Sequence, residues 1–375
     1  MSTPASSIAE LPAMDTTARL PRLRAALDPG GVDALLVTRL VNIRYLTGFT
    51  GSAALLLVTA EDALFVTDGR YTDQSADELG AAGVAARIEI PAIGASARPL
   101  LTEAIQAAGV ARLGLEAGSV TWGQQRQYAE WFADRELVPT DAVVEDLRIV
   151  KDAGEVARIR AAGAIADDAF VSLLPTLGTG ITERAFALAL EFAMRERGAS
   201  GTSFDPIVAS GPNGARPHAR PADRVIGRGE LVVCDFGCIV DGYCSDMTRT
   251  VSVGDPGPEA TRLYETVLAS QQAGRAALRP GVEAAAVDAA SRDVIDAAGW
   301  GGQFSHGTGH GVGLEIHEAP RVAKTAGGTL APGYIVTVEP GVYLPGVGGV
   351  RIEDTMVVTT DGAEPLTMAP KELVL

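Results

Sequence analysis

All four histidines of this 375-residue chain lie between His218 and His317, and the first 217 residues contain none. Three fall in or just after one glycine-rich stretch, His306-Gly-Thr-Gly-His310 and then His317, where glycine lets the backbone come close to a ligand. Imidazoles gathered in this way serve as metal ligands, proton carriers or donors to developing charge. The same half of the chain sets four carboxylates against apolar, strand-like runs. Asp235 follows Leu231 to Cys234, Asp246 lies a short step beyond, Glu339 ends the run Tyr334 to Val338, and Glu353 sits inside Val350 to Val358. Buried carboxylates are tolerated when paired or when they coordinate metal, and no equal set of Lys or Arg accompanies these four. Two divalent cations would neutralise them. Oxygen ligands with one imidazole suit Mn, Co, Zn or Fe better than a thiolate-selected metal.

A turn signal aims the first two carboxylates at one spot. Asp241-Gly242 is the strongest short hairpin signal, and it separates two strand-like runs. A two-residue turn there pairs Val240 with Tyr243 and puts Asp235 opposite Thr248, which makes Asp246 the diagonal neighbour of Asp235 on the same face. Diagonal backbones are about 7 to 8 Å apart, a span suited to clasping a cation between two short acids. Arg351 lies two residues before Glu353 and so on its face of the strand, where it could support the acidic ligands.

Other site chemistries lack their motifs. No G-x-x-x-x-G-K-[ST] loop is present, Gly307 to Gly313 does not fit G-x-G-x-x-G, no serine sits in G-x-S-x-G, and His317-Glu318 does not extend to H-E-x-x-H. Cys234, Cys238 and Cys244 are crowded but irregularly spaced, and read as strand thiols rather than zinc ligands.

The elements that must position these residues follow from periodicity. Residues 1–15 are small and polar and are expected to be flexible. Short apolar runs at Ala34 to Val37, Ala53 to Val58 and Ala63 to Val66 alternate with Ala-rich stretches such as Leu100 to Ala108, which predicts a first domain of α/β type over residues 16–149. Glu155 to Leu174 is one long segment of helical period, so the domain boundary is placed near residue 150. Further helices are predicted at Glu183 to Arg197, Glu259 to Leu278 and Glu283 to Ala298, the first and last stopped by Gly198 and Gly299. Strands are predicted at Leu231 to Asp235, Tyr243 to Val251, Tyr334 to Glu339 and Val350 to Val358. Helices interleaved with hairpins make residues 150–375 an α+β domain with a largely antiparallel sheet.

Composition narrows the partners. Apolar residues are 47% and charged ones 21%, close to globular averages, and the 43 glycines and 21 prolines show no period, so collagen-like and disordered chains are excluded. A net charge of −16, with a pI near 4.7, opposes nucleic acid and anionic membrane as partners. No run approaches the length of a spanning helix, and the amino terminus has neither a basic n-region nor an apolar h-region. With three cysteines and no disulfide framework, a soluble cytoplasmic protein is expected.

At the level of motifs the chain resembles the Xaa-Pro peptidases, the aminopeptidase P and prolidase group of the pita-bread metallopeptidases, over nearly its whole length. The words that carry the resemblance are Asp-Phe-Gly at Asp235, Ser-Asp-Met-Thr-Arg around Asp246, Gly-Thr-Gly-His-Gly-Val-Gly around His310, Val-Glu-Pro-Gly at Glu339 and Arg-Ile-Glu-Asp-Thr around Glu353. Asn42-Ile-Arg-Tyr-Leu-Thr-Gly-Phe49 and Thr67-Asp-Gly-Arg-Tyr71 resemble the family's extra amino-terminal domain, which methionine aminopeptidases lack. The resemblance implies a pita-bread, creatinase/aminopeptidase-like catalytic domain behind a smaller α/β domain, and hydrolysis of the Xaa-Pro bond in peptides or dipeptides. It implies two divalent metals, Mn²⁺ first with Co²⁺ or Zn²⁺ as alternatives, held by Asp235, Asp246, His310, Glu339 and Glu353, with Asp246 and Glu353 as bridges. A water or hydroxide activated there is the implied nucleophile. Glu339 would also shuttle protons, His218 would meet the scissile nitrogen or the substrate, His317 the oxyanion, and His306 the proline-side pocket. Arg351 would support the acids, and Arg321 is a further candidate for substrate contact; each would otherwise be a surface ion pair. A homodimer and proline-containing peptide substrates are also implied. The same fold hosts creatinase-like enzymes without metal and non-catalytic binding proteins, in which the ligand positions carry other residue types, so the intact set favours a metallopeptidase.

Overall fold

The computed structural model describes residues 10–27, 29 and 31–375. It divides into two compact units, residues 15–148 and a second unit of residues 10–14 with 149–375. Of the amino-terminal residues expected to be flexible, 1–9 lie outside the described residues. The rest differ from that expectation: Leu11 packs on the core of the second unit, and the Pro12 carbonyl accepts a hydrogen bond of 2.9 Å from Arg158 Nη1. An apolar residue and a free carbonyl suffice to tie down a short polar segment.

The first unit is built on a six-stranded mixed sheet. In spatial order its strands are Arg87–Glu89, Ala63–Thr67, Ala54–Thr59, Ala34–Val37, Arg112–Glu116 and Glu136–Thr140. Ala34–Val37 is buried at every position, as a central strand covered on both faces must be, and its unbroken apolar run reflects this. Helix Arg98–Ala107 presents Leu101 and Ile105 to Leu36, Leu57, Leu64 and Leu113.

In the second unit, helix Ala153–Leu173 starts with a reciprocal capping box between Asp152 and Glu155. With helix Glu183–Glu196 it packs on an antiparallel sheet of Ile207–Ser210, Leu231–Phe236 and Met247–Ser252, through Phe170, Phe186, Leu190, Val208 and Phe236. A second helix pair, Pro258–Ala277 and Ala284–Ala297, contributes Val287 and the adjoining Leu278 to a core with Val336, Val338 and Met356. Those residues belong to a five-stranded sheet ordered Glu318–Val322, Gly309–Gly311, Ile335–Val338, Asp354–Val358 and Ala363–Pro365. No helix among the described residues is long and apolar enough to cross a membrane.

The Asp-Gly hairpin forms in the expected register. Asp241 and Gly242 have φ of 46° and 81°, the left-handed pair that such a turn requires, Val240 pairs with Tyr243, and Asp235 stands opposite Thr248. Two expected strands are broken, however. Tyr243 to Val251 is interrupted at Ser245 and Asp246, because Ser245 turns inward, its Oγ accepting from the Cys238 amide. Val350 to Val358 is interrupted at Ile352 and Glu353, where the chain leaves a hairpin with Gly341–Leu344 and joins the five-stranded sheet. The Glu353 amide donates to the Thr248 carbonyl at 3.0 Å instead of to a ladder partner.

Candidate metal centre

The carboxylates meet where the sheet containing Leu231–Phe236 and Met247–Ser252 adjoins the five-stranded sheet. Asp235 comes from strand Leu231–Phe236 and Asp246 from the break that follows the hairpin; Glu339 sits just past Ile335–Val338, and Glu353 lies in the gap between two strands. Strand ends and breaks are where a backbone can turn a side chain out of the ladder, and Asp246, Glu339 and Glu353 use such positions, whereas Asp235 projects from a regular strand paired on both sides. Behind Glu353, the buried Arg249 guanidinium holds the Glu353, Thr248 and Ala369 carbonyls and pairs with Asp354 at 2.8 Å.

His310 reaches the same point from the strand Gly309–Gly311, whose glycines admit two neighbouring backbones. A Cβ on Gly309 would lie 2.0 Å from the Thr337 carbonyl oxygen, and one on Gly311 2.2 Å from that of Ala319. We expect Gly309→Ala to destabilise the metal-free protein by about 1–3 kcal/mol, since the strand carrying His310 must move away from its neighbour. Gly302→Ala, with open space around the added carbon, is expected to stay within about 0.5 kcal/mol of wild type. Comparing the two thermal unfolding midpoints checks this; equal midpoints would mean that the close approach carries no constraint.

Ligand atoms of Asp246, His310 and Glu353 all lie within 4.8 Å of one another. His310 Nε2 is 3.5 Å from an oxygen of Asp246 and 3.5 Å from one of Glu339. Its Nδ1 stands 2.9 Å from the Gly311 carbonyl; donation there fixes the tautomer and leaves the Nε2 lone pair facing the carboxylates, the orientation a metal-binding imidazole needs. Burial pushes the His310 imidazole down to about 4, so it is neutral. Burial, followed by repulsion from Glu353, Asp235 and Glu339, holds the Asp246 carboxyl well above its ordinary range. Glu353 is raised by burial and then by Glu339 and Asp235, and burial takes Glu339 up to about 8.

Among the described residues, the Arg351 guanidinium is in direct contact with the group. Arg351 Nη2 donates to Asp235 at 2.6 Å, Nη1 to the Tyr343 hydroxyl at 2.8 Å and Nε to Thr248 Oγ1 at 3.1 Å. Its placement does not come from sharing a strand face with Glu353, since the strand breaks between them; Arg351 belongs to Gly348–Arg351 and reaches the acids from that hairpin. Two carboxylate oxygens remain buried without a hydrogen-bond partner, Asp235 Oδ1 and Glu353 Oε1. Orphaned anionic oxygens are costly to bury, and here they lie beside further carboxylates and a neutral imidazole. These residues fit divalent cations of the oxygen-preferring kind.

The site opens into a cavity of about 880 Å³, lined on its other sides by Phe204, Ile207, His218, His306, His317 and Arg321. The His317 ring lies edge-on to His310 with centroids 4.4 Å apart. His306 Nε2 is 2.9 Å from the Tyr343 hydroxyl, so Tyr343 links His306 to Arg351. His218 is exposed at the cavity wall and Arg321 lines it. Tyr343 and Thr248 were not singled out by sequence reasoning: each is an ordinary strand residue whose hydroxyl matters only through partners distant in the chain. The three cysteines are free and buried, with Cys238 Sγ against the Ala162 carbonyl.

Residues 157–360 match the model of metallopeptidase family M24, and residues 19–150 that of the creatinase/prolidase N-terminal domain. The chain belongs to metallopeptidase family M24. It has the pita-bread fold of that family behind a creatinase-type amino-terminal domain. It is 43% identical to an uncharacterized peptidase of Bacillus subtilis, YqhT, over 95% of this chain and 99% of that one. Among solved structures it is similar to an Xaa-Pro dipeptidase from Bacillus anthracis, with a TM-score of 0.92 and 40% identity over 95% and 99% of the two chains. An X-Pro aminopeptidase from Thermotoga maritima gives 0.86 and 34% identity over 94% and 100%. The protein is therefore a metallopeptidase.

Proposed function

We propose that this metallopeptidase hydrolyses the Xaa-Pro bond, at the amino terminus of peptides or in dipeptides, with two divalent cations. The observation that carries the reading is the convergence of Asp246, His310 and Glu353 on one point, with orphaned oxygens of Asp235 and Glu353 buried beside it. The names of the similar proteins support the proline preference, and they include both a dipeptidase and an aminopeptidase. Asp235, Asp246, His310, Glu339 and Glu353 would hold the cations, Mn²⁺ first and Co²⁺ or Zn²⁺ as alternatives, with Asp246 and Glu353 shared. When bound, such cations acidify water and polarise a carbonyl.

The chain's own groups do the rest. Glu339 takes a proton from the attacking water and passes it to the departing nitrogen. His317 donates to the carbonyl oxygen as negative charge grows on it, and His218 meets the scissile nitrogen from the exposed wall. His306, steadied by Tyr343, lines the proline side, and Arg351 keeps Asp235 oriented. The free thiols fit a reducing, cytoplasmic setting. A homodimer is proposed with the family resemblance, and sedimentation of the purified protein tests it.

Steady-state kinetics on Xaa-Pro, Xaa-Pro-Yaa and the matching Xaa-Ala peptides, with metal content measured, test the function. Preference for either proline substrate over the alanine peptide is expected; equal rates on alanine and proline peptides would overturn the specificity. His317→Ala is expected to lower kcat by about 10²- to 10³-fold with metal content unchanged, the loss typical of an oxyanion donor. Metal lost from that variant would make His317 a ligand instead.

A further inference from the structure

The His218 wall of the cavity is fastened by a residue that touches neither cavity nor acids. Glu183 is the first residue of helix Glu183–Glu196, and it is fully buried. Its Oε1 accepts from the Ser210 amide at 2.7 Å and the Ser210 hydroxyl at 2.8 Å, while Oε2 accepts from Asn213 Nδ2 at 3.0 Å and the Ala222 amide at 3.1 Å. The main chain beside it doubles the grip: the Glu183 amide donates to the Arg224 carbonyl and the Arg184 amide to that of Ala222. Arg224 completes the circuit by donating to Ser210 Oγ at 2.6 Å and pairing with Glu230.

Asn213 and Ala222 are the two ends of the segment that contains Pro217, His218, Ala219, Arg220 and Pro221, all of which line the cavity. Within that segment the Pro217 carbonyl accepts from Arg351 Nη1 at 3.2 Å, and two turn bonds, from the Arg216 amide to the Asn213 carbonyl and from the Ala219 amide to the Arg216 carbonyl, are internal to the loop. His218 itself is exposed, so packing does not fix it. A buried carboxylate needs about four donors to offset its desolvation, and here two come from Ser210 on the strand before the loop, one from Asn213 at the loop's start and one from Ala222 at its end. An apolar side chain would fill the same space without joining those ends.

We propose that Glu183 is a positioning residue for His218, a carboxylate clamp that closes the 213–222 loop and fixes where the imidazole stands in the cavity. This rests on the reading of His218 given above. Glu183→Gln keeps the shape but sets an amide N–H against an N–H donor, so one end of the loop is released.

Hydrogen exchange read by mass spectrometry is expected to show faster uptake across residues 211–222 in Glu183→Gln, with helix Ala153–Leu173 and metal content unchanged. In the metal-loaded enzyme, kcat/KM on an Xaa-Pro substrate is expected to fall about tenfold. In a His218→Ala background the same substitution is expected to cost less than about twofold, because residues acting through one another do not add. Should Glu183→Gln fail to fold, Asn213→Ala removes one end of the clamp from a less buried position and is read in the same way. Unchanged uptake in the loop, or an equal loss with and without His218, would overturn the clamp and leave Glu183 a general support of the fold. Wild-type turnover by His218→Ala alone would remove His218 from the site, and with it the catalytic purpose of Glu183; the exchange measurement tells that outcome from failure of the clamp.

Discussion

Chelation of divalent cations is expected to abolish hydrolysis of an Xaa-Pro bond, and added Mn²⁺ or Co²⁺ to restore it. Among the described residues lining the cavity there is no serine, threonine or cysteine, so no side-chain hydroxyl or thiol is available to attack a carbonyl. The proposed nucleophile is water, and at neutral pH it needs activation. The cavity's acids are also poorly satisfied without a cation, as the raised carboxyls of Asp246, Glu339 and Glu353 and the orphaned oxygens of Asp235 and Glu353 attest. A cation that relieves this must also stabilise the fold. At about a hundred times its dissociation constant, binding contributes about 2.7 kcal/mol, readable as a rise in the unfolding midpoint with added Mn²⁺. Full activity in protein shown by elemental analysis to be metal-free would sink the metal-dependent reading.

How much of this was legible depended on whether the determining contacts are local. The Asp241-Gly242 turn sets its own register through two left-handed residues, so the pairing of Asp235 with Thr248 is legible in the short stretch of sequence from one to the other. The buried strand Ala34–Val37 and the capped helix Ala153–Leu173 likewise announce themselves through local pattern. The break at Glu353 does not. It exists because the Thr248 carbonyl and the Arg249 guanidinium, both about a hundred positions earlier, take the backbone bonds that a continuous strand would have used. Strand alternation, which puts Arg351 on the face of Glu353, does not carry across that break, and Arg351 reaches the acids from the hairpin instead. Tyr343 and Glu183 stayed hidden for a related cause. A tyrosine in an apolar run and a glutamate opening a helix are common patterns, and only their distant partners give them a role.

Replacing Asp246 by asparagine is the substitution expected to cost most for the least change in shape. Asp246 is buried among the site's acids, with His310 Nε2 3.5 Å from its carboxylate, and its main-chain carbonyl is held by the Thr355 hydroxyl at 2.7 Å. The backbone anchor survives the change, so the side chain stays where it was. What would be lost is one negative charge and one of the two oxygens of a carboxylate that the proposed assignment gives to both cations. Metal binding and turnover should therefore fall together, unlike the outcome for His317→Ala, where only turnover falls. A decrease in kcat/KM of at least about a hundredfold is expected, about 2.7 kcal/mol of transition-state stabilisation, with metal stoichiometry dropping below two per chain. The metal-free variant should fold at least as well as wild type, because neutralising one member relieves the repulsion from Glu353, Asp235 and Glu339 that raises the Asp246 carboxyl. A folded Asp246→Asn protein that keeps both metals and near-normal turnover would take Asp246 out of the centre. It would also show that the hairpin register brings Asp235 and Asp246 together for some purpose other than holding a cation.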